Sequence, residues 1–273
     1  MSFTEHNVNG LIFDTSDIIS AADGTVHAFT TRHGGVSPAP YDSLNFADNK
    51  GDRSENLLEN YRRLGAAVGF DANRAVGCRQ IHSDLVRVAR AEDAGRILWN
   101  DRPYDADALI TNETDLPLFV YGTDCCIITL YDPTSRCIGA VHAGWRGAAS
   151  GIALKAAVSM MSYYGAEPYT LRAAIGPSIG KCCFEVGQEV ADQFFALLDP
   201  AMDERIEQRG EKYHIDLKGI NRLWLLRAGI DPSHIDVHPD CTKCHPERYW
   251  SHRAMGDRRG GMAAVICMTE AAR

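Results

Sequence analysis

The sequence predicts a mixed α+β protein of one domain, residues 1–273, with mixed β-sheets flanked by helices. Three observations lead there. Apolar, β-branched runs of strand length recur along the whole chain, helical patterns fall between only some of them, and no repeat, low-complexity run or Pro/Gly/Ser-rich linker divides the sequence. A strict strand and helix alternation, which would indicate a wholly parallel sheet, is absent.

Taken in order, residues 10–13 and 26–31 combine β-branched and aromatic side chains and predict two strands. Residues 54–68 predict a helix, because Leu57, Leu58, Tyr61 and Leu64 recur at spacings of three and four and Gly69 suits a helix C-terminus. Strands follow at 85–88, 108–111, 118–121, 127–131 and 137–142. A second helix is expected over 148–164, carried by Ile152, Leu154, Ala157, Val158 and Met161 and stopped by Gly165 and Pro168. A strand at 171–175, helices at 187–198 and 217–228, the break Gly229-Ile230-Asp231-Pro232 and a last strand at 262–268 complete the pattern.

Composition narrows the class of protein. Hydrophobic content of 45% and charged content of 23% are ordinary for a globular enzyme. A formal net charge of -8 with no Lys/Arg cluster argues against nucleic-acid binding. Residues 1–10 lack the basic start and apolar run of a signal peptide, and no window offers about 18 uninterrupted apolar residues. The expectation is a soluble, cytoplasmic chain without a membrane partner. Nine cysteines, an odd number that includes the adjacent pairs Cys125-Cys126 and Cys182-Cys183, make a poor disulfide framework. Such thiols point to metal binding, catalysis or burial.

Three segments each present one good metal ligand: Gln80-Ile81-His82, Asp124-Cys125-Cys126 and Val141-His142-Ala143-Gly144-Trp145-Arg146-Gly147. Two imidazoles and a thiolate suit a zinc or copper ion that keeps one coordination position open. Each residue alone also has a plainer reading, with His82 as a loop histidine and Cys125 as a small buried hydrophobe. Cys125 beside a histidine also reads as a metal-free nucleophile. Three glycine-bearing loops resemble anion cradles: 30–37 with Arg32, 144–147 with Arg146, and 175–180 with Ser178. Cys241-Thr242-Lys243-Cys244-His245 matches the c-type haem pattern, but without an export signal the match is accidental. A second zinc site using Cys241 and Cys244 with His245 or His252 is the other reading of that segment.

In this order the segments resemble one family, the laccase-domain proteins once labelled multicopper polyphenol oxidases and now regarded as purine nucleoside enzymes. The resemblance runs from about residue 29 to residue 266. It rests on Thr31-Arg32-His33-Gly34-Gly35-Val36-Ser37, Ser43-Leu44-Asn45, Gln80-Ile81-His82, Asp107-Ala108-Leu109-Ile110-Thr111 and Asp124-Cys125. It continues through His142-Ala143-Gly144-Trp145-Arg146-Gly147, Gly176-Pro177-Ser178-Ile179-Gly180, Phe184-Glu185-Val186 and Ser251-His252-Arg253. The chain departs from the family's usual residues at Asn60-Tyr61, at Gly122-Thr123 and at Gly260-Gly261, which follow Arg258 and Arg259.

The resemblance implies a fold of the cysteine-hydrolase type and a metal on His82, Cys125 and His142, zinc first and copper second. It implies phosphorolysis of adenosine, inosine, guanosine and methylthioadenosine, with adenosine deaminase activity as well. The partners would be purine nucleosides and phosphate, and the protein a monomer or homodimer. In that reading His82, Cys125 and His142 serve the chemistry, Asp124 is the first candidate for proton transfer and Glu185 the second. Arg32, Asn45, Arg146 and Ser178 are the candidate substrate and phosphate contacts. A second implied activity is an amidase that edits UDP-MurNAc-amino acid precursors. The oxidase label fits least, since a multicopper oxidase needs His-x-His pairs and this chain has ten histidines with no such pair.

Overall fold

A computed structural model describes residues 2–197 and 199–270. Every strand expected from the sequence forms, and Ala108–Thr111 and Met262–Met268 have the expected bounds. Among the described residues, the expected strands and six that the sequence pattern did not predict build two six-stranded sheets and one of three strands, the last from Glu185–Val186, Lys212–Ile215 and Ile206–Arg209, all unexpected. The first sheet runs Phe3–Val8, Leu11–Ser16, Thr25–Thr30, Met262–Met268, Leu118–Gly122, Val76–Gly77. The second runs Ile235–Val237, Arg172–Ile175, Cys126–Asp132, Cys137–Ala143, Ala108–Thr111, Val86–Val88. Parallel pairs at Val76–Gly77, Val86–Val88 and Ile235–Val237 sit among antiparallel ones, so both sheets are mixed.

The two large sheets pack face to face, and helices cover their outer faces, which gives four layers. Side chains alternate across a strand, so a strand buried on both faces must be apolar almost throughout. In Met262–Met268, Ala264, Ile266 and Met268 enter the layer between the sheets, while Ala263 and Val265 join Tyr61 and Leu64 of helix Ser54–Val68. In Cys126–Asp132, Ile127 and Tyr131 face the other sheet, while Cys126, Ile128 and Leu130 pack with Ile152, Ala156 and Met160 of helix Ile152–Tyr164.

Some elements differ from expectation. The helix expected over 148–164 is two helices, Trp145–Ala149 and Ile152–Tyr164, divided at Gly151 with φ +74°. The other two helices are Gln188–Phe195 and Leu217–Arg227, and the expected helix end at Leu198 lies outside the described residues. Strand Phe3–Val8 escaped the hydrophobic pattern because its side chains are exposed or half-buried at an edge. Its signal was Asn9-Gly10, which takes φ of 54° and 85° and closes the hairpin with Leu11–Ser16. Among the described residues no helix is long and apolar enough to cross a membrane.

Candidate active site

Antiparallel register brings two of the three expected ligands together. Cys126 pairs with Ala143 and Ile127 with His142, so the start of one strand, preceded by Cys125, lies beside the end of the other, which carries His142. His82 arrives from a loop after Val76–Gly77. Gln80 ties that loop to the neighbouring strand by pairing with the Tyr121 backbone, its Nε2 donating to the carbonyl and its Oε1 accepting from the amide, both at 2.7 Å.

The buried carboxylate of Asp107 organises the site. Its Oδ1 accepts from the His82 amide at 3.1 Å and from His142 Nδ1 at 2.8 Å. Its Oδ2 accepts from the amides of Ile81 and Ser83 at 3.3 and 2.6 Å and from Ser83 Oγ at 2.7 Å. These bonds offset the strain of His82, a non-glycine residue at φ +58°. Burial pushes the Asp107 carboxyl up, but the His142 hydrogen bond and charge outweigh it and hold the group below the usual carboxylate range. With Nδ1 committed to Asp107, His142 presents Nε2 to the site, the carboxylate-histidine arrangement common around metals.

His82, Cys125 and His142 each bring one ligand atom to within 4.8 Å of the others. The imidazole rings lie 5.0 Å apart at 66°. Burial lowers the His142 pKa, yet the neighbouring Cys125 sulfur and the carboxylate of Asp107 raise it to about 9. Burial and the charge of His142 lower that of His82. The space between the ligands is kept open by Gly144, where a Cβ would lie 2.7 Å from His82 Nδ1 and 3.3 Å from Cys125 Sγ. Two nitrogens, one sulfur and a cradle that a single methyl would fill fit a zinc-sized ion with an open fourth position.

The triad sits in a cleft of about 460 Å³ walled by Phe46, Trp99, Tyr121 and Phe184, with Arg102, Arg253 and Arg259 at its polar side. Arg102 is spent on Asp48, a buried pair at 2.7 Å. Arg259 donates from Nη1 to Thr123 Oγ1 and the Gly260 carbonyl, both at 2.9 Å, while its buried Nε has no hydrogen-bond partner among the described residues. Asp124 lines the cleft, but its carboxylate accepts from Thr242 Oγ1 at 2.6 Å, Ser251 Oγ at 2.8 Å and the Arg253 amide at 2.8 Å.

None of the four expected substrate contacts lines this cleft. Arg32 donates to the Pro246 and Asp42 carbonyls at 2.8 and 3.1 Å and stacks 3.9 Å over Trp250. Asn45 is fully buried, donating to Asp52 and accepting from the Ala47 and Gly261 amides. Ser178 is buried and accepts from Cys126 Sγ at 3.3 Å. Arg146 is exposed and stacks on Trp145 at 4.1 Å. The loop glycines serve packing: a Cβ on Gly35 would lie 2.1 Å from the Ser43 carbonyl oxygen, and one on Gly176 2.2 Å from the Phe29 ring. Glu185, the second expected proton carrier, is exposed and does not line the cleft.

Fold and site together define a layered α/β protein with a three-ligand metal-type centre in an aromatic cleft. A family profile described as multi-copper polyphenol oxidoreductase laccase matches residues 26–269, and the chain belongs to that family. The chain is 36% identical over 247 residues to "Purine nucleoside phosphorylase YlmD" of Geobacillus stearothermophilus, covering 89% of this chain and 90% of that protein. It is 35% identical over 253 residues to "Adenosine deaminase RL5" of an unknown prokaryotic organism, covering 89% and 94%. The crystal structure of YlmD from Geobacillus stearothermophilus superposes with a TM-score of 0.91 at 32% identity, over 98% of this chain and 99% of that one. The Bacillus licheniformis protein YfiH superposes at 0.90 with 28% identity, over 98% and 99%. These likenesses establish the mixed α+β fold, and the chain is an enzyme of a family whose named relatives process nucleosides.

Proposed function

We propose that the chain is a purine nucleoside phosphorylase with adenosine deaminase activity that works with zinc on His82, Cys125 and His142. The observation that carries this reading is the joining of three things in one cleft: the ligand triad, flat aromatic walls, and the half-buried guanidinium of Arg259, whose Nε–H has no partner among the described residues. Aromatic faces suit a purine ring. An unpaired, partly desolvated Arg259 Nε suits a phosphate oxygen, because leaving such a donor unpaired is costly.

A bound zinc ion supplies Lewis-acid chemistry at the reacting centre. The chain's own residues do the rest. Asp107 holds His142 in the tautomer that presents Nε2, and Gln80 fixes the loop that delivers His82. Arg259 and Arg253 hold phosphate beside the sugar and stabilise the charge that develops as the purine departs. Asp124, saturated by its three donors, is a positioning residue that fixes the turn leading to Cys125. The cleft-lining arginines thus take the phosphate role first expected of Arg32 and Arg146.

A phosphorylase requires phosphate, so the test incubates zinc-loaded protein with inosine, with and without phosphate, and follows free base and ribose 1-phosphate by chromatography. Adenosine tests deamination through inosine formation. Base release only with phosphate is the expected result. Cleavage of a UDP-MurNAc-amino acid with no action on either nucleoside would replace this reading with the amidase one.

A further inference from the structure

The two cysteine pairs that the cleft does not use, Cys182 with Cys183 and Cys241 with Cys244, meet in one cluster. We propose that Cys182, Cys183, Cys241 and Cys244 form a second metal site, a closed four-thiolate centre for a soft divalent cation, zinc first. Their four sulfurs all lie within 4.8 Å of one another. Cys244 Sγ stands 3.7 Å from Cys182 Sγ and 3.5 Å from Cys183 Sγ. Zinc–sulfur bonds of about 2.3 Å in a tetrahedron require sulfur pairs about 3.8 Å apart, so these contacts have the length of a tetrahedral edge. A disulfide bond is far shorter, about 2.05 Å, and all four thiols are free.

The expected pairing of Cys241 and Cys244 with His245 or His252 does not occur. His245 faces Glu247 at 3.3 Å, and His252 lines the catalytic cleft. The missing half comes instead from Cys182 and Cys183, about 60 residues upstream, a distance at which spacing in sequence carries no signal.

The surroundings are those of bound thiolates. The Gly180 amide donates to Cys241 Sγ at 3.2 Å, and Cys241 to Cys244 forms a tight turn in which the Cys244 amide donates to the Cys241 carbonyl at 3.1 Å. Four thiolates and one divalent cation leave net negative charge, and the buried ammonium of Lys218 donates to the His238 and Asp240 carbonyls at 2.7 and 2.9 Å, the second of them on the residue before Cys241. Arg253 donates to the Cys183 and Glu185 carbonyls at 3.4 and 2.8 Å. A site with four protein ligands has no open position, so its role is structural.

What the site braces is the wall of the cleft. Thr242 lies inside the Cys241–Cys244 turn, its amide donates to the Ser178 carbonyl at 3.1 Å, and its hydroxyl holds Asp124 next to Cys125. Fixing the four sulfurs therefore fixes Asp124 and Phe184.

The test separates the two centres. In a His82→Ala/His142→Ala variant, zinc per folded chain is counted by plasma mass spectrometry after gel filtration, and a cobalt-loaded sample is read by absorption. One zinc retained per chain, with strong thiolate-to-cobalt charge-transfer bands, is expected. Adding Cys183→Ser and Cys244→Ser to that variant should remove both signals. Metal absent from the His82→Ala/His142→Ala variant while its four thiols titrate freely, or an intact mass lowered by disulfide formation, would overturn the proposal.

Discussion

Replacing Asp107 by Asn keeps the size of the side chain and removes the charge that orients His142. If the amide oxygen stays at Oδ1, the new NH2 faces the Ile81 and Ser83 amides, which are donors, and the His82 loop loosens. If the amide flips, His142 Nδ1 must accept rather than donate, its proton moves to Nε2, and that nitrogen can no longer bind a metal. Either way the chain loses one buried, charge-assisted hydrogen bond of about 1.5–3 kcal/mol. At about 1.4 kcal/mol per factor of ten, zinc affinity should fall roughly 10- to 100-fold. Competition with a chromophoric chelator at fixed pH measures this, and circular dichroism checks that the fold persists. Zinc affinity within a factor of two of the parent chain would refute the role given to Asp107.

Gly144→Ala should abolish zinc binding at the catalytic triad while leaving a cooperative thermal transition, because the new methyl occupies the space between His82 and Cys125. Arg259→Met should raise the KM for phosphate by about tenfold or more with a smaller effect on the KM for inosine, since a charge-assisted contact is about 1.5–3 kcal/mol; equal changes in both would remove Arg259 from phosphate binding. His27 gives a pH dependence: it is buried with Nε2 accepting from the Ser16 amide at 2.7 Å, and burial lowers its pKa from 6.5 to about 4. A histidine with a depressed folded pKa is bound neutral, so its contribution is intact above pH 6.5 and is lost as pH falls towards 4, by about 3 kcal/mol in all. Urea unfolding at stepped pH should show that slope in the parent and a flatter one in His27→Gln.

The triad was legible because each ligand lies in a short segment whose neighbours are distinctive, the glycines of Gly144-Trp145-Arg146-Gly147 beside His142 most of all. Strands buried on both faces were legible for a similar reason, since their apolar runs are continuous. What escaped was long-range or plain in composition. Asp107 works on residues 25 and 35 positions away. Arg259 stood out in the sequence only as a neighbour of the Gly260-Gly261 departure; its candidate role came from the fold, which buries its Nε without a partner among the described residues. Arg32 and Ser178 lie outside the cleft, and sequence alone does not show this, because a glycine loop that packs against backbone or an aromatic ring has the same sequence as one that cradles an anion.

The description multi-copper oxidoreductase does not follow from the ligands present. Among the described residues two clusters offer three or more metal ligands; one contains two histidines and the other none. A set of coppers held by many histidines has no counterpart there.

Zinc X-ray absorption fine structure on the Cys183→Ser/Cys244→Ser variant, which retains only the catalytic centre, tests the central claim most directly. The expected shell is one sulfur at about 2.3 Å with two imidazole nitrogens and one further light atom at about 2.0–2.1 Å. A shell without sulfur, or one in which Cys125→Ala changes nothing, would contradict a metal held by His82, Cys125 and His142.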